Sequence, residues 1–190
     1  MNDGDALFQL ITVLAGAGPR GAGYWTDDEP VRHPGVARVS RERVAADAAS
    51  RGIPIDIVER PKASSLEEAA ALQGITPAQI VKSLVVKRHD GSFLFALVPG
   101  DRQISWAKLR AVVGVNKLQL PSAELAFEAT GYERGTITPF GSTTAWPVFV
   151  DERVAGQRVS MGAGEHGHSA WVQVDDLVAG FDATVADISD

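Results

Sequence analysis

A single globular domain that mixes short helices with strands is what this chain predicts, and three observations carry that expectation. With 190 residues it is long enough to fill one well-packed core, and a second full domain is not expected. Helix-start signals recur between segments rich in β-branched residues, so neither element type dominates. Asp90-Gly91, set between two apolar runs, is the dipeptide that a two-residue hairpin favours.

Taken in order, residues 1–35 are expected to form an N-terminal extension and residues 36–190 the globular domain. Gly16, Gly18, Pro19, Gly21, Gly23, Pro30, Pro34 and Gly35 punctuate the first segment too often for a regular core. The apolar stretch 6–17 follows Asp3 and Asp5, where a signal peptide would carry positive charge, so it reads as a short amphipathic helix or terminal arm. Ser40 is placed to cap a helix over 41–51, with Val44, Ala45, Ala48 and Ala49 on one face and Gly52 at its end. A strand is expected over 53–58, with Pro54 suiting its first residue or an edge. Ser65-Leu66-Glu67-Glu68 is a capping box that opens a helix ending at Gly74, and Thr76-Pro77-Ala78-Gln79 repeats the signature for a second, short one.

The hairpin then joins strands at 84–88 and 93–98. Ser105 starts a helix through Val113, and Ser122 starts another that Gly131 ends. Shorter strands are expected at 148–150, 159–161 and 170–174, with a last helix near 175–179.

Composition narrows the function classes. Apolar residues make up 45% and charged residues 22%, ordinary values for a soluble domain. There is no cysteine, which excludes disulfides, thiolate catalysis and cysteine-based zinc sites. A cytoplasmic protein with no membrane-spanning segment is expected. The net charge of −6 argues against a generic nucleic-acid binder and against DNA as a partner. Yet Lys82, Lys87, Arg88, Arg102, Lys108, Arg110 and Lys117 face only Asp90 and Asp101 within their stretch, a local excess able to dock a phosphate backbone at one place.

Lys82 is the anomaly. It sits inside Ile80-Val81-Lys82-Ser83-Leu84-Val85-Val86, which reads as a largely buried strand. A lone buried charge is costly unless it is paired or its pKa falls. Lys82 is therefore either an edge residue whose head reaches water or a working group in a pocket. Two glycine segments follow it: Gly131-Tyr132-Glu133-Arg134-Gly135-Thr136-Ile137-Thr138-Pro139-Phe140-Gly141, and Met161-Gly162-Ala163-Gly164-Glu165-His166-Gly167-His168. Each alone is a connection or a tight turn. Each can also let backbone approach a ligand or form an anion-binding nest.

In order and spacing these segments resemble the YbaK family, the prolyl-tRNA-synthetase-associated editing domain, over about residues 41–187. The resemblance implies a compact α+β domain with a curved mixed β-sheet, pseudo-barrel in form and flanked by helices. It implies a trans-editing hydrolase that deacylates mischarged aminoacyl-tRNA, with no cofactor and with an aminoacyl-tRNA synthetase as a further partner. It carries the family's functional lysine onto Lys82 and the small hydroxyl residue after it onto Ser83. The glycine-proline-glycine loop maps onto Gly135, Thr136, Pro139, Phe140 and Gly141. Gly162, Ala163, Gly164 and His166 complete the expected substrate contacts. Where many relatives carry Gly-Gly this chain has Gly135-Thr136. Gly162 and Ser169 stand where the cysteine-editing branch has a serine and an aspartate, which leaves the amino acid open.

An aminoacyl ester is already activated, so an enzyme needs mainly to position it and stabilise the oxyanion. Lys82 would contact the terminal phosphate or polarise the ester carbonyl, and amides of Gly135 or 162–164 would add neutral donors. Competing readings are a His166/His168 metal site, His166 as general base, a Ser83–His166–Asp175 triad and Trp146 as a stacking platform. At the level of function the alternative is a non-catalytic tRNA-, amino-acid- or protein-binding module on the same fold, motivated by Thr136, Gly162 and Ser169.

Overall fold

Continuously apolar segments become the central strands, and alternating ones become the half-covered strands. The computed structural model describes residues 36–190, so the extension expected over 1–35 lies outside the described residues. Helix α1 spans Val36–Ser50. It begins before Ser40, which is consequently a buried interior position and not a cap. Val44 and Ala48 face the core, while Ala45 and Ala49 are exposed. Gly52 takes φ 68°, and Ile53 N–H returns to the Ala48 carbonyl at 2.9 Å, closing the helix as its glycine predicts.

Strand β1 (Ile55–Glu59) leads to α2 (Leu66–Gln73). Ser65 accepts from Glu68 N–H as a cap should, but the Glu68 carboxylate turns one residue further back, accepting from Ser64 N–H at 2.7 Å. A 3-10 turn at Pro77–Gln79 feeds β2 (Val81–Arg88), which the Asp90-Gly91 turn folds onto β3 (Phe93–Pro99). The register sets Lys82 opposite Val98 and Lys87 opposite Phe93. Helix α3 (Trp106–Val113), the two-residue β4 (Leu118–Gln119) and α4 (Ala123–Thr130) follow. Then come β5 (Val148–Asp151), β6 (Arg158–Gly162), β7 (His168–Gln173), α5 (Val174–Phe181) and β8 (Thr184–Ala186).

The expected mixed α/β architecture holds, with a refinement in how the sheet is built. Among the described residues there are two sheets and no closed barrel. An antiparallel three-stranded sheet runs β1-β7-β6, and a mixed five-stranded sheet runs β4-β2-β3-β5-β8. They meet at a single parallel bridge between Ile80 and Ser160. β4 pairs with β2 only at Lys87 and Arg88, so the outer edge of β2 from Val81 to Val86 carries no second ladder. Alternate backbone N–H and C=O groups of that edge are left facing outward.

One core fills the space between the sheets, from Val81, Val85, Phe95, Leu97, Val159, Met161 and Val172, with Val44 of α1 and Leu177 of α5. A second lies behind the larger sheet, where Leu84, Val86, Leu94 and Val98 pack on Ile104, Leu109 and Ile188. Burial of both faces explains the unbroken apolar run of β3 and the apolar stretch Leu84-Val85-Val86 of β2. The short β4 and β8 had no sequence signal, because two or three residues hold no period.

Candidate active site

Where the ladder on β2 stops, a cleft opens. It encloses about 800 Å³, its open mouth included. Val81, Leu84, Val85, Leu120, Pro121, Ala126, Ile137 and Met161 give it apolar walls. Lys82, Ser83, Gly135, Gly162, Ser160 and Ser169 reach it from three segments distant in sequence. Among the described residues its charged lining is Arg60, Lys82 and Arg134, with no carboxylate. On a chain of net charge −6, that is a marked local reversal.

Lys82 is 5% exposed. Its ammonium donates to the carbonyl of Arg102, in the turn after β3. That turn is held close: a Cβ on Gly100 would stand 2.6 Å from the Pro77 carbonyl oxygen and 2.7 Å from that of Ile80. Burial lowers the lysine's pKa from 10.5 to about 8, partly opposed by the negative charge of Asp101. Ser83 points to the opposite face of β2, and its hydroxyl is buried without a hydrogen-bond partner. A buried orphan hydroxyl in a cleft is available to a ligand.

The glycine loop from 131 to 141 is fastened from behind by α1. Arg43 donates to the Gly141 carbonyl through Nε at 3.0 Å and Nη2 at 2.7 Å, and to the Thr130 carbonyl at 3.2 Å. Its guanidinium lies 4.7 Å from the Tyr132 ring centroid. Asp47 accepts from Gly141 N–H at 2.8 Å, and Tyr132 Oη donates to the Phe140 carbonyl at 2.7 Å. With both ends pinned, Arg134, Gly135 and Ile137 are the part of the loop that lines the cleft. Gly162 lies so close to this loop that a Cβ would overlap the Ile137 carbonyl oxygen and stand 2.8 Å from that of Thr136. The Gly164 N–H donates to the Thr136 carbonyl at 2.9 Å, joining the two glycine segments directly.

A family model described as the aminoacyl-tRNA editing domain matches residues 60–179, which contain every lining residue of the cleft. The chain belongs to the aminoacyl-tRNA editing domain family. It is 34% identical over 119 residues to the proline–tRNA ligase of Thermosipho melanesiensis, covering 63% of this chain and 20% of the ligase. It is 39% identical over 88 residues to that of Thermosipho africanus, covering 46% of this chain and 16% of the ligase. The match thus spans a fifth or less of these curated relatives. Among solved structures, a candidate trans-editing enzyme for prolyl tRNA synthetase superposes with TM-score 0.72 and 32% identity, over 80% of this chain and 97% of that one.

Within this editing domain, Lys82, Ser83, Gly135 and Gly162 come together on the cleft. Other residues expected at the substrate lie behind its wall. Thr136 is buried and its hydroxyl donates to the Glu133 carbonyl at 2.9 Å. Pro139 is buried, Phe140 stacks edge-on to Phe181 with centroids 5.0 Å apart, and Gly141 is held by Arg43 and Asp47. Ala163 is in the core, and a Cβ on Gly164 would stand 2.7 Å from the Tyr132 ring. These residues shape the glycine loop from inside. His166 is exposed, with Nε2 3.2 Å from a Glu133 carboxylate oxygen.

The competing constellations do not assemble. His168 Nε2 lies 2.7 Å from Arg41 Nη1 while His166 meets Glu133, so the two imidazoles serve different partners. Asp175 accepts from Gly156 N–H at 2.8 Å, away from both Ser83 and His166. Trp146 donates to the Ala129 carbonyl at 2.8 Å and packs on Phe93, centroids 5.4 Å apart. The basic run from Lys82 to Lys117 does not act as one face, since Lys108 is 3.1 Å from carboxylate oxygens of both Asp187 and Asp190. Sequence reading missed Arg60 and Gln73 and gave Arg134 no role. Gln73 lines the cleft and accepts from the Ser160 hydroxyl at 2.7 Å. Arg134, wedged between Glu133 and a glycine of the loop, carried the available signal. Arg60, beside Pro61 at a strand end, carried none.

Proposed function

We propose that this editing domain, residues 36–190, is a trans-acting deacylase that hydrolyses the ester of mischarged aminoacyl-tRNA. The observation that carries the reading is the cleft along the open edge of β2, whose charged lining among the described residues is cationic and whose floor is apolar. The anionic end of a nucleic acid suits the cations, and a small amino-acid side chain suits the floor. The similarity to a candidate trans-editing enzyme for prolyl tRNA synthetase supports a proline-tRNA substrate.

The chemistry follows from what each group can offer. Free N–H groups on the β2 edge and the Gly135 amide can hold the ester and receive charge as its carbonyl becomes an oxyanion. Lys82 keeps two donors beyond the one given to Arg102, and its cation favours the same developing charge. The Ser83 hydroxyl is placed to take a hydrogen bond from the substrate or the attacking water. Water attacks the carbonyl carbon, the bond to the ribose oxygen breaks, and that oxygen takes a proton, leaving free amino acid and tRNA. No group of the protein is acylated.

A panel of mischarged tRNAs, incubated with the wild type and Lys82→Met, tests this. Wild type is expected to deacylate at least one species, and Lys82→Met to lower kcat/KM by about 100-fold or more. Equal loss of every species with both proteins, matching the buffer rate, overturns the enzyme reading in favour of a binding module.

A further inference from the structure

Two serines of the cleft differ in what their hydroxyls can offer. The Ser83 hydroxyl has no partner and can turn its proton either way. Ser160 cannot. We propose that Ser160, held by Gln73, is the hydrogen-bond acceptor that recognises the α-amino group of the aminoacyl ester. That the donor is an α-amino group rests on the deacylase reading, whereas the preference for a donor rests on the geometry of these two side chains.

The proton positions follow from a chain of contacts. Gln73, the last residue of α2, lines the cleft together with Ala69 one turn before it. Its Nε2 donates to the Ala69 carbonyl at 3.0 Å. The opposite orientation of the amide would set two oxygens against each other, so Oε1 is the atom that faces Ser160. Ser160 Oγ lies 2.7 Å from it, and between a hydroxyl and an amide oxygen only the hydroxyl has a proton to give. That proton is thereby committed to Gln73. What Ser160 Oγ keeps for a ligand is lone pairs alone.

The place of this acceptor suits the ester. Ser160 is 1% exposed and lines the cleft from β6. Its backbone is fixed on both sides, by the pairing with Trp171 of β7 and by the bridge to Ile80. Ile80 stands two residues before Lys82, so the hydroxyl belongs beside the start of the open β2 edge. In an aminoacyl ester the α-nitrogen is one carbon away from the ester carbonyl. An ester held by the β2 edge therefore carries its nitrogen towards a neighbouring strand, and β6 is that neighbour. Because an α-amino group titrates at about 8, it enters as amine or as ammonium, and both forms donate. A buried acceptor met by an acyl group without a donor loses its hydration with no return. Ser160 thus selects for the nitrogen, and Gln73 acts on the substrate only by holding the Ser160 proton.

The test uses the full chain and two uncleavable probes. These are 3′-amino-3′-deoxyadenosine acylated on that nitrogen with alanine or with propionic acid, which differ only in the α-amino group. Calorimetry gives their affinities. Deacylation of proline tRNA carrying alanyl or propionyl, each rate divided by its buffer rate, gives the matching kinetic ratio. Wild type should prefer the amino-bearing member about tenfold in both measurements. Ser160→Ala should bring the ratio to within about twofold of unity. Gln73→Met, which frees the Ser160 proton, should lower the ratio several-fold, and Gln73→Glu, which keeps an oxygen to accept that proton, should restore it. Rescue by the glutamate separates a positioning role for Gln73 from simple loss of packing. Each variant is checked for an unchanged melting transition, and if Ser160→Ala unfolds, the two Gln73 variants carry the comparison. Equal affinity of wild type for both probes, or a full preference surviving in Ser160→Ala or Gln73→Met, overturns the proposal even where deacylation proceeds. A Ser160-dependent preference in binding without turnover of any charged tRNA upholds the amino site and overturns the deacylase reading.

Discussion

Lys82 and Lys108 are the same side chain in two regions of one molecule, and their surroundings treat the charge in opposite ways. Lys108, half-exposed on α3, reaches the Ser189 carbonyl and the Asp190 and Asp187 carboxylates, and hydrogen bonds to Asp190 and then Asp187 hold its pKa above the usual lysine value. It belongs to a cluster that ties the C-terminal segment to the larger sheet. There Arg153 spans Asp187 and the fully buried Asp151, and Asp151 also accepts from Ile188 N–H at 3.2 Å. Lys82 lies in an apolar strand with one carbonyl as its partner, and burial brings its pKa down to about 8. The first lysine serves folding. The second is held against its own solvation beside a cleft, the usual mark of a working group.

This contrast can be broken or sharpened by experiment. The largest effect belongs to the site. If the Lys82 cation stabilises the oxyanion, enzyme-dependent deacylation should fall about tenfold per pH unit above about 8, after the spontaneous rate is subtracted. The profile of Lys82→Met should show no such bend. A wild-type rate that climbs through pH 8 would instead make Lys82 a base.

Next comes the C-terminal cluster. Asp151→Ala strips a buried carboxylate from Arg153 and leaves the Ile188 N–H without its acceptor, and should cost about 3 kcal/mol in urea unfolding. A loss below about 1 kcal/mol would show that the cluster does not hold the C-terminus.

Lys82→Met should move stability the other way. The folded pKa of about 8 lies below the unfolded 10.5, so below pH 8 the folded state carries a proton at a cost of about 3 kcal/mol. That cost is relieved as pH rises from 8 to 10.5. Allowing about 1 kcal/mol for the lost bond to Arg102, the variant should be about 2 kcal/mol more stable than wild type at pH 7. The advantage should shrink towards pH 10.5. A variant less stable at pH 7 would make Lys82 a structural residue.

The smallest effect should come from Lys108→Gln. Its melting temperature should fall by less than that of Asp151→Ala, and added salt should erase the difference, because the ion pairs are open to solvent. A salt-independent loss would mean that the cluster is shielded more than its exposure suggests.

Much of the fold was legible because local rules dominate it. The Asp90-Gly91 hairpin, the Ser65 and Ser122 caps and the glycines ending α1, α2 and α4 each act within a few residues. Ser40 misled because the helix begins at Val36, so a residue that reads as a cap was taken inward. The site was legible in part. Lys82 stood out since a charge breaks an apolar run. Arg60 did not, since its place at the cleft depends on the tertiary contact of its backbone with Gly167, which no local pattern shows.

The sequence by itself determined the single domain, the order of its elements, the buried lysine and the glycine segments that resemble an editing domain, because these depend on propensity, period and burial along the chain. Only the tertiary structure decided that β2 keeps one edge open, that Phe140, Gly141 and Ala163 build the wall rather than line it, and that the charged residues brought to the cleft are all basic among the described residues. Those outcomes depend on which segments meet across the fold, and side-chain distance across a cleft leaves no trace in local pattern.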